Sequence, residues 1–472
     1  MTKKMFQVTR MMAIGIVVFV CCNLLSDQKV MMLDGDILSR CFMAVLATVL
    51  FWFISVLYEK KRQVFSPGYV FLMVNVFING LICPCYFTES RMDAGTRAGV
   101  IQPQDFWDLY VVIYFLTMAV VLIWLLATKH TSSEIKEETF ITYSKQDDAA
   151  VFLMGMIVLF LNFQFGETGV VMYVPVLCYF AMRFLWTGGK LNVYTILAFL
   201  GGLYCIYRIS YSRYLLVEYV VPLLLMYFVL AAVNDNRRRG KKVIPLLILG
   251  VVAIMAYGMV SELIKLNTYW GRNYNLLYEI TNFKSIIDSC ARQIYRLFGI
   301  WTELGGNIIH HVNLHGYYYG LTYIKAFAGI FGFEYVSLPL ISAEYISAAY
   351  AQPGLLAEGY ANFGIIGAVI NLMVPFVIME LALSWFLKKR DPLAICILTV
   401  PFTKILLDGG TINNIVFGIA TCILAFAPYI AATESSFSLP TEIILSECSV
   451  ILVADISKIV SSLNDLKFLK QN

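Results

Sequence analysis

The chain has 472 residues, 60% of them hydrophobic and 14% charged, with a mean hydropathy of +0.74 and a net charge of +4. No soluble fold hides so large an apolar fraction, so the solvent for most of this surface is a bilayer, and the small positive charge gives no reason to expect nucleic acid. The eleven cysteines fall mostly inside apolar runs, and Cys83-Pro84-Cys85 fits no zinc pattern, so cysteine usage fixes no compartment.

The chain opens on Lys3, Lys4 and Arg10, followed by MMAIGIVVFVCCNLL. No small-residue cleavage site follows, which makes this an uncleaved first span rather than a removable leader. Apolar runs of spanning length then occur near 11–27, 37–58, 67–87, 105–127, 149–165, 169–186, 191–209, 212–233, 243–263, 362–387, 392–408 and 413–431. These predict an all-α polytopic membrane protein of about twelve transmembrane helices, because lipid offers no partner for open backbone groups. Residues 1–263 carry nine spans, 264–361 form one large extracytoplasmic loop, 362–431 carry three more spans, and 432–472 form a cytoplasmic tail. The tail stretch SVILVADISKIV is too short to span and reads as an amphipathic helix.

Between the first two spans lies DGD at 34–36. Two aspartates around a glycine can hold a divalent ion, but acids at a helix start also complement its dipole, and capping of the second span is the reading adopted. The positive-inside rule orients the bundle. With the N-terminus cytoplasmic, one side collects Lys60-Lys61-Arg62, Lys129, Lys190, Arg237-Arg238-Arg239, Lys241-Lys242 and Lys388-Lys389-Arg390. The opposite turns GET at 166–168 and DGGTINN at 408–414 carry no basic residue. Both termini are then expected in the cytoplasm.

In this orientation RISYSRY at 208–214 faces outward, and Arg208 and Arg213 run against the charge bias. Glu218 falls about 10 Å into the eighth span, just below Arg213, where an ionisable group is expensive, with Arg213 or Arg208 as its natural partner. The long outer loop carries SIIDSCARQIYRLFGIWTELG, whose Ile287, Ala291, Ile294, Phe298 and Trp301 share one helical face. Arg292 and Arg296 lie one turn apart on another face, either as a ladder with Asp288 or as a ligand clamp. His310, His311 and His315 follow, then GYYYGLTY with Tyr317, Tyr318, Tyr319 and Tyr323. Histidine exchanges protons near neutral pH, and tyrosine faces stack on sugars or line a membrane interface. His311 and His315 are spaced i, i+4, but no third ligand supports zinc. Glu358 and Asn362 stand in LLAEGYANFGIIGAV, at the outer mouth of the tenth span, and Lys404 and Asp408 form an i, i+4 pair read as structural.

Three of these stretches, YSRYLLV, HGYYYGLTYIKAF and AEGYANFGIIGAVI, resemble the bacterial Wzy-type polymerases of O-antigen and capsule repeat units, and the topology is similar over most of the chain. The resemblance implies a metal-independent transferase of the membrane-embedded, GT-C-like class that needs no cofactor. It would join undecaprenyl-pyrophosphate-linked oligosaccharides on the outer face of the bacterial cytoplasmic membrane. Membrane lipids, a chain-length regulator and a flippase are the partners implied. The family's outer-face arginine carries over best to Arg213, with Arg208, Arg292 and Arg296 as further pyrophosphate contacts and Tyr318 and Asn362 as sugar contacts. A pyrophosphate leaving group needs positive charge, which the guanidinium fork supplies without a metal. The attacking hydroxyl needs a base, and Glu358 and His311 are both candidates. A related polysaccharide ligase has similar topology and chemistry, and a lipid-linked oligosaccharide flippase is the reading from a different class.

Overall fold

The computed structural model describes residues 2–26, 35–62, 66–86, 106–128, 145–165, 168–186, 191–208, 300–324, 332–345 and 352–389, with scattered positions at 256–286, at 328 and at 393–426. Among the described residues every regular element is helical. In chain order these are α1 (Thr2–Ser26), α2 (Gly35–Arg62), α3 (Pro67–Phe71), a π-helix (Leu72–Ile82), α4 (Cys83–Tyr86) and α5 (Trp107–Ala127). There follow α6 (Lys145–Phe165), α7 (Thr168–Trp186), α8 (Val193–Arg208), α9 (Ile300–His315), α10 (Leu338–Tyr345) and α11 (Leu355–Lys389). Five segments are long and apolar enough to cross a membrane: Lys3–Leu25, Asp36–Lys61, Pro67–Tyr86, Trp107–Ala127 and Leu355–Lys388. Shorter apolar helices occupy Asp148–Phe160, Tyr173–Phe184 and Val193–Cys205. The expected span at 212–233, and most of those at 243–263, 392–408 and 413–431, lie outside the described residues.

Side chains sort as a bilayer-facing bundle requires. Met11, Phe42, Leu126 and Ile366 point outward from four of the long helices, while Phe6, Phe51, Phe77, Tyr114 and Phe376 fill the interior. Several polar groups turn inward and are paired, since lipid would leave them unsatisfied. Tyr114 donates to Ala47 O at 2.8 Å, tying α5 to α2, and Trp124 packs edge-on against Phe376 of α11.

The two ends of this bundle differ. At one end, Lys61 Nζ donates to Leu126 O and Thr128 O, both at 3.1 Å, covering open carbonyls at the C-terminus of α5. Arg10 pairs with Glu59 at 2.6 Å. Ser66 caps α3 by accepting from Tyr69 N at 3.1 Å, with Pro67 preorganising the first turn. The same Ser66 hydroxyl donates to Glu380 Oε1 at 2.6 Å, and the Tyr58 phenol donates to that oxygen as well. The opposite end is closed by α9, where Tyr110 of α5 donates to Thr302 O at 3.3 Å.

Two departures from the sequence reading concern the helices themselves. The third apolar run is not one α-helix, since its middle, Leu72–Ile82, is wound as a π-helix. The tenth run begins at Leu355, inside the stretch assigned to the outer loop, and it is not one rod. Phe363 (φ −143°) and Gly364 (φ 64°, ψ −146°) break it. In a continuous helix Leu355 and Asn371 would stand about 24 Å apart. Instead Asn371 Nδ2 donates to Leu355 O at 3.2 Å. The segment Leu355–Asn362 therefore folds back against the helix that follows it.

Candidate functional site

The fold-back works because of glycine. A Cβ on Gly359 would collide with Gly367 O, and one on Gly367 with Gly359 O, so the two backbones touch where neither residue has a side chain. Gly364 supplies the left-handed φ of the turn, a conformation that L side chains avoid. An added Cβ there would also meet the Tyr317 phenol at 3.2 Å.

Glu358 lies on the short folded-back helix with its side chain 1% exposed. Its Oε2 accepts from Ile412 N at 2.6 Å and from Asn371 Nδ2 at 3.4 Å, and Thr322 also hydrogen-bonds to the carboxyl. The sequence reading put Glu358 at the mouth of a span. The structure instead buries it as the junction of the short helix, the long helix after it and the chain around Ile412.

Asn362 ends the short helix and is fully buried. Its Oδ1 accepts from Gly320 N at 2.8 Å, and its Nδ2 donates to Thr322 Oγ1 at 2.6 Å and to Glu358 O at 2.8 Å. Both ends of the amide are thus engaged by the protein, and the residue clamps residues 320–322 to the helix end rather than offering itself to a ligand. Tyr318 N donates to Ala361 O at 2.9 Å, continuing the clamp. Tyr323 donates to Asn371 Oδ1 at 2.7 Å, and burial together with the Glu358 carboxylate pushes its phenol up to about 12. It therefore stays protonated at any working pH.

On the solvent side of this clamp sit the histidines of α9. The His311 and His315 rings stack with centroids 4.2 Å apart, and the Tyr318 ring lies 6.4 Å from His311. His311 Nδ1 is 3.0 Å from the Tyr345 hydroxyl. His315 Nδ1 is 2.9 Å from His311 O, and since a carbonyl only accepts, that nitrogen carries a proton. Partial burial and the neighbouring His315 hold His311 below the usual histidine value. Near neutral pH it is an uncharged imidazole that can accept a proton.

The structure thus brings four of the sequence-selected residues, Glu358, Asn362, His311 and Tyr318, into one neighbourhood at one end of the bundle. Arg208 is the last residue of α8, and its side chain lies outside the described residues, as do Arg213, Glu218, Arg292, Arg296, Lys404 and Asp408. Asp36 stands in the first turn of α2, as a dipole-complementing acid would.

Sequence reasoning missed several groups. Below the short helix is a pocket of about 40 Å³ lined by Asn75 and Asn79 of the π-helix, Tyr110, Thr302, Gly305 and Leu355–Ala357. Asn75 Nδ2 and Asn79 Oδ1 are buried without a protein partner, and the space suits ordered water, which needs polar partners and little volume. Glu380 and the Asp148–Arg183 pair, at 2.7 Å, were also passed over. Their signal was present as lone ionisable residues beside or inside apolar runs, which membrane helices rarely tolerate without a partner.

Comparison with known proteins places the chain by family alone. Residues 1–440 match the family described as "Family of unknown function (DUF6032)", and the chain belongs to that family. No curated protein and no solved structure matches it.

Proposed function

We propose that this member of a family of unknown function is a membrane-embedded glycosyltransferase that polymerises undecaprenyl-pyrophosphate-linked oligosaccharide repeat units on the outer face of a bacterial cytoplasmic membrane. The observation that carries the reading is the broken helix at Phe363–Gly364. It sets a buried carboxylate and a clamped tyrosine-rich turn directly under two partly exposed histidines. This lies at the end of the bundle opposite Lys61, Arg10 and the C-terminus of α11. Of the two candidate bases, His311 suits the task better. It is partly exposed and uncharged near neutral pH, whereas the Glu358 carboxyl is spoken for by Ile412 N, Asn371 and Thr322. Glu358 then holds the folded-back helix in place, Tyr318 offers a ring to a sugar, and Arg213 neutralises the pyrophosphate as it leaves.

The test is substitution of Arg213. A planar fork bound to pyrophosphate is not replaced by an ammonium group, so Arg213→Lys and Arg213→Ala should both fail. Loss of one charge-assisted contact in the transition state costs about 3 kcal/mol, roughly a hundredfold in rate. Cell-surface polysaccharide should collapse from long chains to single repeat units on a gel, with unchanged protein in the membrane fraction. Normal chain lengths in Arg213→Ala would remove the clamp from the mechanism.

A transporter of the same lipid-linked sugar is the second reading, favoured by the discontinuous helix itself, a device that transporters use to build sites inside the membrane. Purified protein in detergent separates the two. A polymerase lengthens lipid-linked oligosaccharide without a sealed membrane, and a transporter leaves it unchanged.

A further inference from the structure

Away from the candidate site, three cysteines from three helices meet at the same end of the bundle. Cys21 lies in the last turns of α1, Cys41 in the second turn of α2, and Cys85 beside the end of α4. Cys21 Sγ is 4.0 Å from Cys41 O, and Cys85 Sγ is 3.8 Å from Arg40 O. These are consecutive carbonyls of α2, so the two thiols lie close against the Cys41 stretch of its backbone. Cys21 Sγ thus lies against the very residue that carries the Cys41 thiol, while Cys85 interacts with both thiols through space. A single buried cysteine is ordinarily a small apolar filler. Three from separate helices, with Cys21 partly exposed and Cys41 and Cys85 buried, are a different arrangement. Thiols brought together in this way can be joined by oxidation.

We propose that Cys21 and Cys41 form a disulfide that staples α1 to α2 near the exported face. With Cys21 Sγ 4.0 Å from the Cys41 carbonyl oxygen, side-chain rotation and a small approach bring the two sulfurs to the bond length of about 2.05 Å. The oxidant is a disulfide-bonded donor protein of the exported compartment, where such bonds persist. The partly exposed Cys21, as thiolate, attacks the donor disulfide, and one donor sulfur leaves as a thiolate that takes up a proton. Cys41, as thiolate, then attacks the Cys21 sulfur of the mixed disulfide, and the second donor sulfur leaves and is protonated. The chain loses two hydrogens and the donor gains them as two thiols. The bond closes a link across twenty residues and leaves Cys85 as a third, reduced thiol. The proposal rests on the orientation read from the basic residues and is independent of the transferase reading.

The experiment uses membranes from aerobically grown bacterial cells expressing the full chain. They are quenched in acid, alkylated under denaturing conditions without reductant, digested and examined by mass spectrometry. The expected result is a Cys21–Cys41 linked peptide that disappears on reduction, persists in Cys85→Ser and is absent in Cys41→Ser. Full alkylation of Cys21 and Cys41 without reductant would overturn the proposal, and so would linkage of Cys41 to Cys85. A reporter fused near Asn313, in the same membranes, separates a wrong orientation from a wrong pairing. If it reads the exported side while both thiols are free, the staple itself is refuted.

Discussion

Glu358 and Glu380 belong to the same segment, α11, and both side chains are buried, yet they are held by different kinds of partner. Glu380 sits in the regular part of the helix and is met by the hydroxyls of Tyr58 and Ser66, with Gly68 giving the room. Glu358 sits before the break and is met by a backbone N–H, a side-chain amide and a hydroxyl from three separate stretches. Hydroxyl groups can rotate toward a new partner when one is lost. A backbone N–H cannot. The contrast teaches that burial of an acid does not by itself mark a working site, and that the rigidity of its partners separates a replaceable anchor from one on which local architecture depends.

The largest effect should come from removing what makes the two environments different, the fold-back itself. Gly367→Val would press its side chain onto Gly359 O, and backbone there has no room to yield. Overpacking typically costs about 1–3 kcal/mol, and a backbone clash falls at or beyond the upper end. Folded protein recovered by size exclusion in detergent should fall sharply. Full recovery of Gly367→Val would mean that the close approach does not hold the short helix.

The comparison is sharpened by truncating each acid. Glu358→Ala orphans Ile412 N and frees one hydrogen of the Asn371 amide, and each buried group left unsatisfied costs about 1–3 kcal/mol. Glu380→Ala leaves Tyr58 and Ser66, whose oxygens already lie 2.6 Å apart and can bond each other. Its expected cost is about 1 kcal/mol. Melting temperatures of the two purified variants should therefore rank Glu358→Ala well below Glu380→Ala. The reverse order would break the comparison.

The smallest effect is a shift of a pH profile. His311 titrates below its ordinary value of 6.5 because of burial first and of His315 next, against a pull from Glu344, with His310 adding the smallest push. If neutral His311 is the base, activity holds from neutral pH down past 6.5 and is lost only when the ring takes a proton at lower pH. His315→Asn removes a neighbour that holds the His311 value down, so the acidic limb should move upward. A limb unmoved by His315→Asn would detach the histidine stack from the chemistry.

Much of this architecture was legible in the apolar runs. The runs at 37–58 and 105–127 became α2 and α5 with small changes at the ends, because hydropathy over a window reports what a bilayer demands. The break in α11 was not legible in that way. Its apolar character continues through Phe363–Gly364, so a window sees one span where the chain turns back. The spacing of Gly359, Gly364 and Gly367 was the available signal, and it says where backbones can approach, not that they do. His311 and Tyr318 were found because their side-chain chemistry is conspicuous. Glu358 was found for its charge, but its deep burial depends on contacts with Ile412 and Asn371, which no local pattern encodes.

The Glu358–Ile412 bond also has a consequence for how the chain is made. The two residues are 54 positions apart in sequence, and at roughly 5–20 residues per second the ribosome takes about 3–11 s to travel between them. During that interval the newly inserted helix after Gly364 is already available, but the acid before it has no backbone N–H to accept from. Thr322 and Asn371 can already bond the carboxyl, but the 2.6 Å bond from Ile412 N is still missing. The set of contacts that holds the short helix is therefore completed only when Ile412 has been made, so the assembly of this end of the bundle depends on a residue that lies far downstream.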